Sequence, residues 1–126
     1  MDITPHLPVG RQVVESYGDG RFKVSGTQHQ GSILVHPEET LPWSAGSMAE
    51  VTLDSLAPLF AEPQRRIEVL LLGCGPELVP VPAALREGLR GQGIVVEPMD
   101  TGAACRTYNV LLLEERSVGA ALIAVS

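Results

Sequence analysis

The pattern of apolar residues predicts strands in the first part of the chain. The β-branched and aromatic runs "RQVVESY" and "RFKVSG" flank "GDG", in which Gly18 and Gly20 can adopt the positive φ of a tight hairpin turn. After the polar "TQHQG", the apolar run "SILVH" predicts another short strand, which ends at Pro37. Residues 37–52 show neither the helical nor the strand spacing of apolar residues and are predicted to form a long loop. Within it, Trp43 is expected to fold back over the core, with a partner anchor as the alternative.

Helical and strand patterns alternate after Thr52. The segments "LDSLAPLFAE", "PAALREGLRGQ" and "GAACRTYNVLLLEER" have helical spacing, and the runs "IEVLLLG", "GIVVEP" and "SVGAALIAVS" are typical of buried strands. This alternation predicts parallel strands joined by helices, with "IEVLLLG" and "GIVVEP" adjacent and connected by the helix of Leu85 and Leu89. The sequence therefore predicts one α/β domain over residues 1–126, in which residues 1–10 are a flexible tail.

Composition and charge narrow the classes of partner and site. A formal charge of −6 and an aromatic content of 4% argue against binding to nucleic acid. No apolar run reaches the roughly 20 residues that a transmembrane segment requires. Cys74 and Cys105 are expected to be free thiols in a reducing compartment, because a chain of this size does not need a disulfide for stability. No histidine or cysteine pair has the spacing of a metal site.

Polar and potentially reactive side chains follow two of the predicted strands. Loops 73–77 and 98–102 come after "IEVLLLG" and "GIVVEP", and ligands of α/β folds bind beyond the carboxyl ends of such strands. The segment "MDTGAACRTYN" then continues the second loop into a helix. We expect a candidate cleft or partner surface formed by Gly73, Cys74, Gly75, Asp100, Thr101, Cys105, Arg106, Tyr108 and Asn109.

None of these residues completes a catalytic or cofactor motif. The glycines of "GCGP" are followed by Leu78 where a dinucleotide fingerprint needs glycine, so a tight turn explains them better than a phosphate cradle. Cys105 lies in a first helical turn beside Arg106, which would favour a thiolate, but no histidine on that helix could act as its base. Asp100 lacks the second carboxylate of paired acid–base catalysis. No catalytic residue, metal or cofactor is assigned.

Structural roles account for the same residues. Asp100 and Thr101 are expected to hold the start of the helix, because a side-chain oxygen there can accept an unpaired backbone N–H. Arg106 is expected to pair with Asp100 or to present its charge to a partner. Asn109 is expected to tie the helix to an adjacent loop.

Three stretches carry a resemblance to a known family. They are "GSILVHP" followed by Trp43, "EVLLLGCG", and the long string "GIVVEPMDTGAACRTYNVLLLEERSVGAALI". Over about residues 10–125 the chain resembles a bacterial-type member of the respiratory complex I assembly factor 3 family, whose Mth938-like domain has no established enzymatic activity. The resemblance implies a three-layer α/β fold. Its central sheet would be mixed, mostly parallel and covered by helices, and the N-terminal β-hairpin would be an added element.

The resemblance also favours one of three functional hypotheses. It implies a non-catalytic interaction or assembly factor whose partners are proteins, among them components of respiratory complex assembly. The alternatives are a small-ligand-binding protein and a weak enzyme, each using the loop cleft at 73–77 and 99–106. The expected compartment is the bacterial cytoplasm, or the mitochondrial matrix if the chain is a processed eukaryotic form.

Overall fold

The computed structural model describes residues 1–3 and 10–126. The strands in this part of the chain are β1 (Val14–Gly18), β2 (Arg21–Val24), β3 (Thr27–Gln30), β4 (Ile33–His36), β5 (Glu39–Pro42), β6 (Val69–Gly73), β7 (Val95–Met99) and β8 (Val118–Leu122). The helices are α1 (Leu53–Leu56), α2 (Ala83–Gly91) and α3 (Thr101–Leu113). Most of the predicted tail at 1–10 lies outside the described residues. At its start, the Ile3 N–H donates to the Glu15 carbonyl at 2.8 Å.

Five of these strands form a central mixed sheet in the order β5-β4-β8-β6-β7. β6 is parallel to both β7 and β8, whereas β4 is antiparallel to β8 and to β5. The predicted adjacency of the first two parallel strands is confirmed, because Val69 pairs with Val95 and Gly73 pairs with Met99. β1, β2 and β3 form a separate antiparallel sheet, which contains the predicted hairpin.

Both faces of the central sheet are covered at β4, β6 and β8, which explains the nearly continuous apolar sequence of these three strands. On β6, Leu71 belongs to the core shared with α3 and the three-stranded sheet. Leu70 and Leu72 point the other way, into the core that contains residues of α1 and α2. Leu85 and Leu89 of α2 are buried there, as their helical spacing predicts. The result is the three-layer α/β architecture that the resemblance implies.

Two strands form where the sequence pattern predicts none. The polar β3 pairs with β2 through a two-residue turn at Ser25 and Gly26, whose φ values are 44° and 87°. Such a turn matches the twist of the flanking strands, so backbone pairing forms β3 without an apolar pattern. β5 lies inside the predicted loop and pairs with β4. Trp43, which follows β5, is 7% exposed, so the expectation that it packs on the core is confirmed.

The helix predicted over 53–62 is shorter than expected. Only α1 is α-helical, and a 3₁₀ turn at Ala57–Leu59 follows it. The Thr52 side chain caps α1 by accepting the Ser55 N–H at 3.1 Å. Pro58 lies in the 3₁₀ turn, and proline cannot continue an α-helix because it lacks the N–H and clashes with the preceding turn.

Candidate functional site

The nine candidate residues lie where β6 and β7 end and along α3. Gly73 is the last residue of β6, and Asp100 is the N-cap of α3. Arg106 alone among the nine is exposed, Asp100 is half-buried, and the other seven are buried. The cavity of about 330 Å³ beside Ile67 and the cleft of about 200 Å³ beside His36 are lined by other residues.

Thr101 joins the ends of three strands. Its hydroxyl donates to the Ile123 carbonyl at 2.7 Å and accepts the Gly75 N–H at 3.0 Å. Its own N–H donates to the Gly75 carbonyl at 2.8 Å. The cap of α3 is Asp100, whose carboxylate accepts the Ala103 N–H at 2.9 Å. The expected capping role is therefore confirmed for Asp100, whereas the Thr101 hydroxyl fastens the loops after β6 and β8.

The glycines of "GCGP" have packing roles at this junction. A Cβ on Gly73 would lie 3.1 Å from the Thr101 hydroxyl oxygen and 3.1 Å from a methyl group of Leu122. Gly75 has a φ of +108°, which L-residues with side chains rarely adopt. The Cys74 N–H donates to the Met99 carbonyl at 2.8 Å, and the Gly75 N–H is taken by Thr101. These two amides are therefore not available to cradle a phosphate.

Cys105 is sealed inside the protein. Its side chain has 0% exposure and belongs to the core beneath α3, whereas Cys74 belongs to the core on the opposite face of the sheet. Burial raises the pKa of the Cys105 thiol to about 12, although the charge of Arg106 acts in the opposite direction. The structure therefore disfavours a thiolate at this position, because desolvation of Cys105 outweighs the effect of the nearby positive charge.

Tyr108 and Asn109 attach α3 to the three-stranded sheet. The Tyr108 hydroxyl donates to the Gln12 carbonyl at 2.8 Å. The Asn109 side chain accepts the Val14 N–H at 3.1 Å and donates to the Val14 carbonyl at 2.8 Å. Asn109 therefore ties the helix to the first residue of β1, where the sequence predicted a loop. Burial also raises the pKa of Tyr108, which keeps this hydroxyl protonated as a donor into the alkaline range.

Arg106 has a partner that the sequence did not indicate. Its guanidinium donates to the Tyr17 hydroxyl at 2.9 Å, and no ion pair to Asp100 forms within the described residues. Tyr17 lies against Gly102, where an added Cβ would be 2.6 Å from its hydroxyl oxygen. The contact between Tyr17 and Gly102 has a signal in the sequence, namely a glycine in the first turn of a helix, where alanine is intrinsically favoured.

The outer face of α3 also carries apolar residues that the sequence analysis did not single out. Val110 is 53% exposed and Leu113 is 48% exposed. With Arg106 they occupy positions i, i+4 and i+7, which lie on one side of a helix. Their signal in the sequence is the run "VLLL" at 110–113. Four consecutive apolar residues of a helix cannot all lie on one buried stripe.

The described residues contain neither a membrane-spanning helix nor a cluster of metal ligands. None of the helices in residues 1–3 and 10–126 has the length and apolar character to cross a bilayer. In the same part of the chain, no three His, Cys, Asp or Glu side chains converge as metal ligands would.

Comparison with known proteins identifies the family. Residues 14–123 match the model described as "Protein of unknown function (DUF498/DUF598)". The chain belongs to this family. An uncharacterised protein of Rhodobacter capsulatus is 39% identical over 123 residues, which cover 96% of this chain and 93% of that protein.

Other relatives have a functional name, NADH dehydrogenase (ubiquinone) 1 alpha subcomplex assembly factor 3. The Danio rerio protein of this name is 39% identical over 112 residues, which cover 88% of this chain. The Homo sapiens protein is 34% identical over 110 residues, which cover 87% of this chain. The chain matches 63% and 59% of the length of these two proteins. The resemblance to the complex I assembly factor 3 family is therefore confirmed.

Solved structures share the fold. A crystal structure described as an outer membrane protein from Bartonella henselae superposes with a TM-score of 0.84 at 38% identity, covering 93% of this chain and 98% of that one. A solution structure of a Mth938-like domain from Bordetella pertussis gives a TM-score of 0.80 at 29% identity, covering 98% and 92% of the two chains. The predicted Mth938-like α/β fold is confirmed.

Proposed function

We propose that this chain is a non-catalytic interaction factor that binds proteins taking part in the assembly of a respiratory complex. Relatives named as assembly factor 3 support this role, because they match 87–88% of the chain. The net charge of −6 supports a protein partner over nucleic acid. The role implies the bacterial cytoplasm, or the mitochondrial matrix for a processed eukaryotic form.

The proposal of a non-catalytic role rests on the surroundings and hydrogen bonds of the polar side chains at the strand ends. The Thr101 hydroxyl and the Asn109 amide bond to backbone groups of the same chain. Cys105 is fully buried, and burial raises its pKa to about 12, so the thiolate required of a nucleophile is absent at neutral pH. These groups stabilise the junction between the strands and α3. We therefore place the functional contacts on the outer surface of the protein.

We assign the partner contact to the outer face of α3. Val110 and Leu113 form an exposed apolar pair on this face, and Arg106 adds a charge near its start. Interfaces are enriched in arginine, and apolar side chains provide their buried centre. The Tyr17 hydroxyl already orients the Arg106 guanidinium, so less side-chain entropy is lost on binding. The partner segment that fits this face has apolar side chains opposite Val110 and a carboxylate opposite Arg106.

Site-specific photo-crosslinking tests this assignment. A photoreactive amino acid replaces Leu113 in the full chain, expressed in its own cells, and Leu78 serves as the matched control position. Both leucines are exposed, at 48% and 59%, but Leu78 lies in the loop after β6 rather than on α3. We expect position 113 to crosslink to a respiratory complex subunit or assembly component, and position 78 not to do so. Equal crosslinking from both positions, or no such protein from position 113, would contradict the proposal.

A further inference from the structure

The outer face of α3 has opposite charges placed evenly about its apolar centre. Arg106 and Glu114 are exposed, and they lie four residues before and four residues after the exposed Val110. Because successive residues of an α-helix are rotated by about 100°, the two charged side chains lie about 40° to either side of Val110. All three therefore share the face of the helix that points to solvent.

Neither of these two charges is balanced within its own chain. Arg106 donates to the neutral Tyr17 hydroxyl, and neither Arg106 nor Glu114 forms an ion pair with any residue in 1–3 or 10–126. They cannot pair with each other, because eight residues of helix separate them by about 12 Å. Glu114 is also the C-cap of α3, where the negative end of the helix dipole disfavours a carboxylate. A cation brought beside Glu114 would relieve this repulsion.

A second α3, packed antiparallel over Val110, supplies both missing partners. When a two-fold axis passes Val110, the residue four positions after it in one copy faces the residue four positions before it in the other. Glu114 of each copy then lies opposite Arg106 of the other, and Val110 packs against its own counterpart. Leu113 comes opposite the half-buried Thr107. The arrangement gives two identical ion pairs around an apolar centre.

We infer that the outer face of α3 binds a second copy of this chain, as an antiparallel helix pair centred on Val110. The second copy has the chemistry of the partner segment that we assign to this face, an apolar side chain opposite Val110 and a carboxylate opposite Arg106. The inference adds a regulatory consequence, which rests on the proposed function. One face cannot hold both occupants, so the partner must displace the second copy.

The small size of the interface limits its strength. Each copy contributes two exposed apolar side chains, Val110 and Leu113, and one half of each ion pair. Ion pairs near the surface are individually weak, and small interfaces are typical of transient complexes. We therefore expect a dissociation constant of about 0.1 mM for the dimer. An association of this strength allows a more tightly bound partner to take its place.

Charge reversal tests the inference by sedimentation equilibrium of the full chain. Arg106→Glu and Glu114→Arg should each weaken self-association by about tenfold or more, because each places like charges opposite one another at both ends of the helix pair. An equimolar mixture of the two variants should form a heterodimer about as strong as the parent dimer, because a glutamate then faces an arginine at both ends. A parent chain that stays monomeric up to about 1 mM would overturn the inference. A mixture that associates no better than its components would also overturn it.

Two variants of α2 serve as matched controls. Arg90→Glu and Glu87→Arg change exposed residues of α2 and alter the net charge by the same amounts. Alone or mixed, they should self-associate as the parent does. Weakening equal to that of the α3 variants would show an effect of overall charge and overturn the inference.

A doubly reversed chain separates this inference from the proposed function. Arg106→Glu combined with Glu114→Arg restores both ion pairs between copies but presents the opposite charges to another protein. The double variant should therefore dimerise as the parent does and lose crosslinking from position 113 to respiratory complex components. A double variant that stays monomeric would overturn the helix pair alone. A parent that dimerises but crosslinks to no such component would contradict the proposed function alone.

Discussion

Gly102 and Tyr17 are in direct contact across the junction of α3 and β1, and a Cβ at position 102 would lie 2.6 Å from the Tyr17 hydroxyl oxygen and 3.0 Å from its ring. The same hydroxyl accepts a hydrogen bond from Arg106 at 2.9 Å. The glycine therefore makes room for the tyrosine that orients the exposed arginine. This links a buried backbone position in the first turn of α3 to the surface that we assign to a partner.

The first prediction concerns this contact. Gly102→Ala should force the Tyr17 ring outward and break its bond to Arg106, so the helical advantage of alanine, about 1 kcal/mol, is cancelled or reversed. In a Tyr17→Ala background the clash is absent, and the same change should stabilise the protein. Urea unfolding of the parent, the two single variants and the double variant gives the coupling free energy between the two positions, which we expect to be about 1 kcal/mol or more. Additive effects within error would show that the two residues do not interact.

The second prediction separates Thr101 from Asp100. Thr101→Val keeps the shape of the side chain but leaves the Gly75 N–H and the Ile123 carbonyl without their partner, at a cost of about 2–4 kcal/mol. Asp100→Ala removes a helix cap and should cost about 1 kcal/mol. Thr107→Val, at a half-buried position of the same helix, is the matched control for Thr101→Val. Equal free energies of unfolding for the Thr101 and Thr107 variants would refute the role given to Thr101.

The third prediction follows from the raised pKa of Cys105, about 12 in the folded protein. An unfolded cysteine ionises near pH 9, so above this pH the unfolded state loses a proton that the folded state keeps. Stability should therefore fall between about pH 9 and 12, by up to about 1.4 kcal/mol per pH unit from this group alone. Cys105→Ala should show a shallower decline in urea unfolding measured across this range. A decline as steep as that of the parent would mean that Cys105 ionises equally well in both states.

The fourth prediction concerns His36, whose pKa is lowered by burial. Below the ordinary histidine pKa of about 6.5, the unfolded state takes up a proton that the folded state resists. The contribution of His36 to stability is thus present above pH 6.5 and is lost as the pH falls below it. His36→Gln should reduce the difference in unfolding free energy between pH 7.5 and pH 5.5. An unchanged difference would show that the ring titrates normally in the folded protein.

The parts of the fold that could be predicted from the sequence are those whose pattern is local. β6, α2 and β7 follow from apolar runs and from the spacing of Leu85 and Leu89. β3 could not be predicted, because its side chains are polar, three of the four are exposed, and the strand forms through backbone pairing with β2. Apolar sequence patterns reflect the burial of side chains, and few side-chain atoms of β3 are buried.

The sequence predicts which elements carry the candidate residues, but not the hydrogen bonds that these residues form. That Asp100 caps α3 and that Cys105 lies near the start of this helix follows from the sequence. The role of Thr101 depends on contacts with Gly75 and Ile123, which are distant in the chain, so no local spacing encodes it. The pKa of Cys105 depends on burial beneath the three-stranded sheet, and that sheet contains the strand that the pattern missed.

Affinity capture of the tagged full chain from its own cells tests the central claim most directly. The parent and the Cys105→Ser variant should recover respiratory complex subunits or assembly components at the same level, since the thiol has no chemical role. Leu113→Ser and Arg106→Ala should remain folded and reduce that recovery by about fivefold or more, equivalent to about 1 kcal/mol of binding, whereas Leu78→Ser should not. Recovery unaffected by the α3 variants, or a measurable turnover that disappears in folded Cys105→Ser, would contradict a non-catalytic factor that binds through α3.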